Sequence, residues 1–157
     1  MVDALLLWLH VIGATMLLGT GAGIAFFMLM AHRTGNPALV AHVAGTVVIA
    51  DFLFTTTAVI AQPLTGALLM VDRGWPLTTP WILLGLGLYG LVGIFWIPVV
   101  FIQIRMRNLA REAAAIGSAL PTVYHRLYRL WFAFGFPAFF AVLGILWLML
   151  VKPTLWG

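Results

Sequence analysis

The sequence predicts an all-α integral membrane protein, a four-helix bundle in a single domain. Three observations carry that reading. The 157 residues are 64% hydrophobic and only 8% charged, whereas a soluble domain holds roughly 25% charged residues. The apolar residues gather into four long runs, and a helix needs about 20 residues to cross the hydrocarbon core. The runs do not alternate polar with apolar, so they do not read as barrel strands. In lipid every backbone N–H and C=O needs a partner inside the protein, which leaves helices.

The first span covers about residues 4–30. Met1-Val2-Asp3 carries no basic stretch, and the apolar run outlasts the core of a cleavable signal, so it reads as a retained span. His32-Arg33-Thr34-Gly35-Asn36-Pro37 breaks it. The second span covers about 45–71 and ends at Asp72-Arg73-Gly74-Trp75-Pro76. The third covers about 79–104 and continues as a basic helix through Arg105, Arg107 and Arg111, until Gly117 to Pro121 interrupt it. The fourth covers about 127–151 and closes at Lys152-Pro153. No linker or internal repeat divides the chain.

Charge sets the expected orientation. Six of the eight Lys and Arg residues (Arg33, Arg105, Arg107, Arg111, Arg126 and Arg129) flank one end of the spans. The positive-inside rule places those basic loops in the cytoplasm and both termini outside, in a bacterial inner membrane. Trp8, Trp75, Trp81, Trp147 and Trp156 then fall at the opposite interface, where an aromatic belt is expected. The net charge of +4 thus belongs to lipid headgroups, and the expected partner is the bilayer rather than nucleic acid. Thr15, Gly19 and Gly23 on the first span, and Gly85, Gly87, Gly90 and Gly93 on the third, read as packing seams. Such seams fit a homo-oligomer or a larger membrane complex. Pro63, Pro98 and Pro137 lie inside spans and are expected to kink them.

With no cysteine, disulfides, thiolate zinc sites, iron–sulfur clusters and cysteine nucleophiles are excluded. There is no nucleotide-binding loop, no Gly-x-Ser-x-Gly, no His-Glu-x-x-His and no pair of carboxylates, so hydrolase and ATPase readings have nothing to rest on.

Ionisable groups inside a span are costly and mark function. Asp51 is the one carboxylate within a span. Asp51, Thr55, Ala58, Gln62 and Thr65 follow at steps of 4, 3, 4 and 3, one polar stripe that should face the interior. Asp51 is read as a structural ion pair with an arginine of the basic end (Arg105, Arg126 or Arg129), as a proton-handling or substrate group, or as a neutral carboxyl hydrogen-bonded to a threonine. His10 lies near the opposite end of the first span, at the depth of Gln62. It is either a hydrogen-bonded packing residue or a ligand of haem iron or another metal. His32 is 22 residues further on, roughly 33 Å of helix rise, so it cannot share a site with His10. His32, His42 and His125 all fall at the basic end and are read as solvated by loops, or else as a cytoplasmic cluster. Tyr89, Gly93, Trp96, Val100 and Gln103 share one face of the third span, read as core.

Leu9-His10-Val11-Ile12-Gly13 in a small-residue-rich first span resembles the first helix of HemJ-type protoporphyrinogen oxidases, and Tyr128-Arg129-Leu130-Trp131-Phe132 with the apolar run after it resembles their last helix. The wider superfamily includes CopD-like copper-resistance membrane proteins. Over nearly its whole length the chain is similar to the domain-of-unknown-function family 2269, through Ala50-Asp51, Gln62-Pro63-Leu64-Thr65-Gly66 and Gln103-Ile104-Arg105-Met106-Arg107. The HemJ-type resemblance implies haem b, with His10 at the position of the first-helix histidine. HemJ-type proteins also carry a His and a Lys early in the third helix, and Pro80-Trp81-Ile82-Leu83-Leu84-Gly85 here has neither.

The expected function is redox: electron transfer, or oxidation of a membrane-associated small molecule, with His10 on the haem iron and Gln62 supporting His10. Asp51 with Arg105 or Arg129 serves as a structural or proton-handling pair. Two other readings stand beside it. One is a cofactor-free membrane subunit or scaffold that packs on a partner through its glycine-rich faces. The other is a metal or small-solute permease using the Asp51 stripe.

Overall fold

The computed structural model describes residues 2–154 and consists of helices joined by short turns. Trp156 lies outside the described residues. The helices are α1 (Val2–Arg33), α2 (Pro37–Ala50), α3 (Thr56–Asp72), α4 (Pro80–Ala115) and α5 (Thr122–Val151). α2 and α3 form one span, joined through Asp51–Thr55, where the helix widens by a residue and the Thr56 N–H reaches back to the Asp51 carbonyl. Four stretches are thus long and apolar enough to cross a bilayer: Asp3–Arg33, Pro37–Asp72, Pro80–Ala115 and Thr122–Val151. They run up and down, so Trp8, Trp75, Trp81 and Trp147 lie at one end, here the tryptophan end, and the arginine-bearing turns at the other.

Two spans start earlier than the sequence pattern predicts. The second begins at Pro37 rather than near Gly45, because Asn36 caps it: its Oδ1 accepts from the Ala38 and Leu39 N–H groups at 2.9 and 3.2 Å, with Pro37 in the first helical position. The fourth begins at Thr122, directly after Pro121. α4 ends where Gly117 takes φ +66° and the Ser118 N–H returns to the Ala113 carbonyl at 2.9 Å, a turn that suits a residue without Cβ.

Packing is uneven along the bundle. At the arginine end α2 packs on both α1 and α4, and α5 packs on α4 and α1. The main core sits there, with Met28, Val40, Ala44, Met106, Ala110 and Tyr124 all 0% exposed. In the tryptophan half α3 packs along α1, and α4 along α5, but neither α4 nor α5 lies closely along α3. The bundle is closed at one end and forked at the other. Leu64, Leu68 and Val71 are exposed on the outer side of α3, a face that suits hydrocarbon.

One contact spans the fork. Pro63 has no N–H, so the Val59 carbonyl four residues before it loses its helical partner. The Tyr89 hydroxyl of α4 donates to that carbonyl. At the tip, the Lys152 Nζ lies 4.5 Å from the centre of the Trp75 ring, tying the end of α5 to the α3–α4 turn.

The predicted seams take a different role. A Cβ added at Gly19, Gly85, Gly87, Gly90 or Gly93 would meet nothing within 4 Å, so these glycines are not sites of close helix approach within the chain. Close approach occurs at Gly13 and Gly66, between α1 and α3, and at Gly144, where a Cβ would lie 3.0 Å from Leu88 Cδ1.

Candidate functional site

The predicted stripe of span two faces inward. Asp51, Thr55, Ala58 and Gln62 are buried and Thr65 is half-buried. It meets α1 at His10, which is itself buried. The His10 Nδ1 and Thr65 Oγ1 are 2.7 Å apart. The Thr65 hydroxyl has a single proton, and the Ala61 and Gln62 carbonyls, 2.8 and 3.2 Å away, both accept it on the helix's own side. When the hydroxyl donates to its own helix, the imidazole supplies the proton of the first bond, so that Nδ1 carries hydrogen and Nε2 keeps a free lone pair. Among the described residues Nε2 makes no hydrogen bond.

Gln62 and His10 do meet, as their equal depth predicts, but not through the ring. The Gln62 amide donates to the His10 backbone carbonyl at 2.8 Å. The side chain that orients the imidazole is Thr65, a residue the sequence reading placed on the stripe without assigning it a partner. Gly13 and Gly66 make the arrangement possible. A Cβ at Gly13 would collide with the Gln62 amide nitrogen, and one at Gly66 would stand 3.3 Å from His10 Cε1.

His10 and Gln62 border a cavity of about 310 Å³ in the fork. Its remaining walls are largely apolar and aromatic, with Trp75, Trp81, Tyr89 and Trp96 among them; Gly85 and Gly93 line it, and Lys152 stands at its rim. Met70 and Met149 contribute the sulfur atoms of this wall. Among the described residues no three His, Asp or Glu side chains gather as a metal cluster. A metal held here must therefore bring most of its own ligands.

Asp51 lies elsewhere and has a different partner from the one expected. The Trp96 Nε1 donates to its Oδ1 at 3.3 Å. Arg105, Arg126 and Arg129 are exposed, and the one ion pair among the described residues is Arg73 with Asp72, at 3.8 Å. The early start of α2 explains the difference. Its 14 residues precede Asp51, which puts the carboxyl about four turns deep. Arg105 follows Trp96 by nine residues in α4, about 13 Å nearer the arginine end. The arginines lie too far along the bundle to reach the carboxyl.

His32 is not a loop residue solvated at the surface. It belongs to the last turn of α1 and stacks on Tyr128, with ring centres 3.6 Å apart and planes 7° from parallel. Its Nδ1 is 3.3 Å from the Tyr124 hydroxyl, and the His125 ring lies edge-on at 5.6 Å. His42 is outside this group. The stack joins α1 to α5 at the closed end.

No curated protein and no solved structure matches the chain. A family model matches residues 4–153, and its description is a predicted integral membrane protein, DUF2269. A four-span helical chain matched over almost its whole length belongs to that family, the domain-of-unknown-function family 2269 of integral membrane proteins.

Proposed function

We propose that the chain is a haem b-binding redox protein of the bacterial inner membrane, with His10 as the protein ligand to the iron. The observation that carries this reading is the His10 ring. Its Nδ1 is held 2.7 Å from the Thr65 hydroxyl, and its Nε2 has no hydrogen bond among the described residues, in a residue that lines an apolar cavity. Ligating histidines characteristically fix the other ring nitrogen in this way, which sets the tautomer and the ring angle. Haem supplies four nitrogens itself, so a site without a three-residue cluster is no obstacle. The flat aromatic walls suit a macrocycle, Lys152 at the rim offers a cation to a carboxylate, and Met70 and Met149 are the available thioethers. When bound, haem supplies one-electron chemistry; the chain's own residues hold it, orient the ligand and exclude water.

The test is an absorption spectrum of the detergent-purified protein from haem-replete cells, oxidised and dithionite-reduced. A Soret band with sharp reduced α and β bands, near one haem per chain and lost in His10→Ala, is expected. A featureless spectrum, or a full haem content in the variant, overturns the reading. Thr65→Val is expected to keep the fold and broaden or shift the reduced bands, since the ring loses its anchor.

A further inference from the structure

We propose a second binding site, in the arginine half of the bundle, for a lipid-soluble ring compound with a carbonyl oxygen at each end: the isoprenoid-quinone class. Gln103 carries the argument. It is 1% exposed, and the Trp131 Nε1 donates to its Oε1 at 3.0 Å. That bond fixes which end of the amide is oxygen, so the other end is a donor. This Nε2 is buried and has no hydrogen-bond partner among the described residues. A buried amide N–H without an acceptor is destabilising, and a carbonyl oxygen brought to it relieves the deficit.

Gln103 lines a cavity of about 370 Å³ that also reaches Asp51 and Thr55. The Thr55 hydroxyl is likewise buried, and its one polar neighbour is the Asp51 carboxyl a turn before it. Polar groups thus stand at two levels. Trp96, which holds Asp51, and Gln103 are seven residues apart in α4, about 10 Å of helix rise. That spacing suits one ring hydrogen-bonded at both ends. Between the two levels the wall is aromatic, from Trp96, Trp131 and Phe132. On the remaining side the cavity is bordered by Gly21 of α1 and Gly135 of α5, both exposed, so it opens sideways between two spans. An opening at that position faces hydrocarbon and admits a ligand dissolved in the bilayer. Thr55 and Asp51 then meet one oxygen as donor and acceptor, in the oxidised or the reduced form, and the Gln103 amide meets the other. The cavity shares a wall with the His10 cavity at Leu17, Val59, Val92, Trp96 and Val142, but its polar groups Asp51, Thr55 and Gln103 are its own, so the proposal stands whether or not the other cavity holds haem.

The test is equilibrium binding of decylubiquinone to the full chain in lipid nanodiscs, against empty nanodiscs. Saturable binding of one molecule per chain is expected. Gln103→Met and Thr55→Val should each weaken it about tenfold, the loss of one buried hydrogen bond. Gln103→Met also strips Trp131 of its acceptor. Thr55→Val is nearly isosteric, and Asp51 keeps the Trp96 N–H, so this variant is expected to fold and decides the matter if the first does not. Uptake proportional to concentration and equal to that of empty nanodiscs means that the chain holds no quinone, and it overturns the proposal. So does saturable binding of unchanged affinity in Thr55→Val.

Discussion

Single side chains set the tolerances of this bundle. Tyr89 covers the carbonyl that Pro63 frees at Val59. Tyr89→Phe leaves that carbonyl without a partner, at a cost of about 1–3 kcal/mol, and a thermal melt in detergent is expected to show it; an unchanged melt would mean that the contact contributes nothing. Gly13 is constrained by the Gln62 amide. Gly13→Ala is expected to destabilise by about 1–3 kcal/mol, as overpacked sites do. Because the clash is with one side chain, the same substitution in a Gln62→Ala background should cost clearly less, a coupling that a double-mutant cycle reads directly. Additive losses would place the strain elsewhere. At this scale the sequence was only partly legible. The spacing of the stripe put His10, Gln62 and Thr65 on facing surfaces, but which atom meets which depends on side-chain reach. Thus Gln62 took the backbone carbonyl and Thr65 took the ring. Asp51 shows a larger failure with the same root: its tryptophan partner is 45 residues away, and no local pattern encodes that pairing.

At the scale of elements, hydropathy located all four spans because lipid demands unbroken apolar helices, but it misplaced their ends. The polar turn before Pro37 was read as a break followed by a late start, although its Asn-Pro pair is a helix-start signal. That misplacement is what brought Asp51 close to the arginines on paper. The wide turn at Asp51–Thr55 was not legible either, since it reflects one residue more than the regular helix holds. It has a measurable consequence. Deleting exposed Leu53 removes the surplus residue and leaves the faces of α2 and α3 in register, whereas deleting exposed Ile60 rotates the rest of α3 by about 100°. The Leu53 deletion is expected to yield far more folded protein on size-exclusion chromatography. Equal yields, or the reverse order, would show that the turn is not a one-residue surplus.

For the whole molecule, the arginine-rich end is expected in the cytoplasm. The native chain lacks cysteine, so single cysteines report orientation cleanly. Cysteine at Ser118 should resist a membrane-impermeant thiol reagent in intact spheroplasts, and cysteine at Thr78 should react. The opposite pattern would invert the topology. The fork adds a mechanical property. A bundle clasped at one end by the His32–Tyr128 stack, whose helices draw apart toward the other, is packed more firmly in its arginine half than in its tryptophan half. Backbone amides of α2 should therefore exchange with deuterium more slowly than those of α3. The arms are joined at their tips by the α3–α4 turn and the Lys152–Trp75 contact, so anything that enters between them comes sideways out of the acyl chains, and the lateral pressure of the bilayer would bear on how fast it does so.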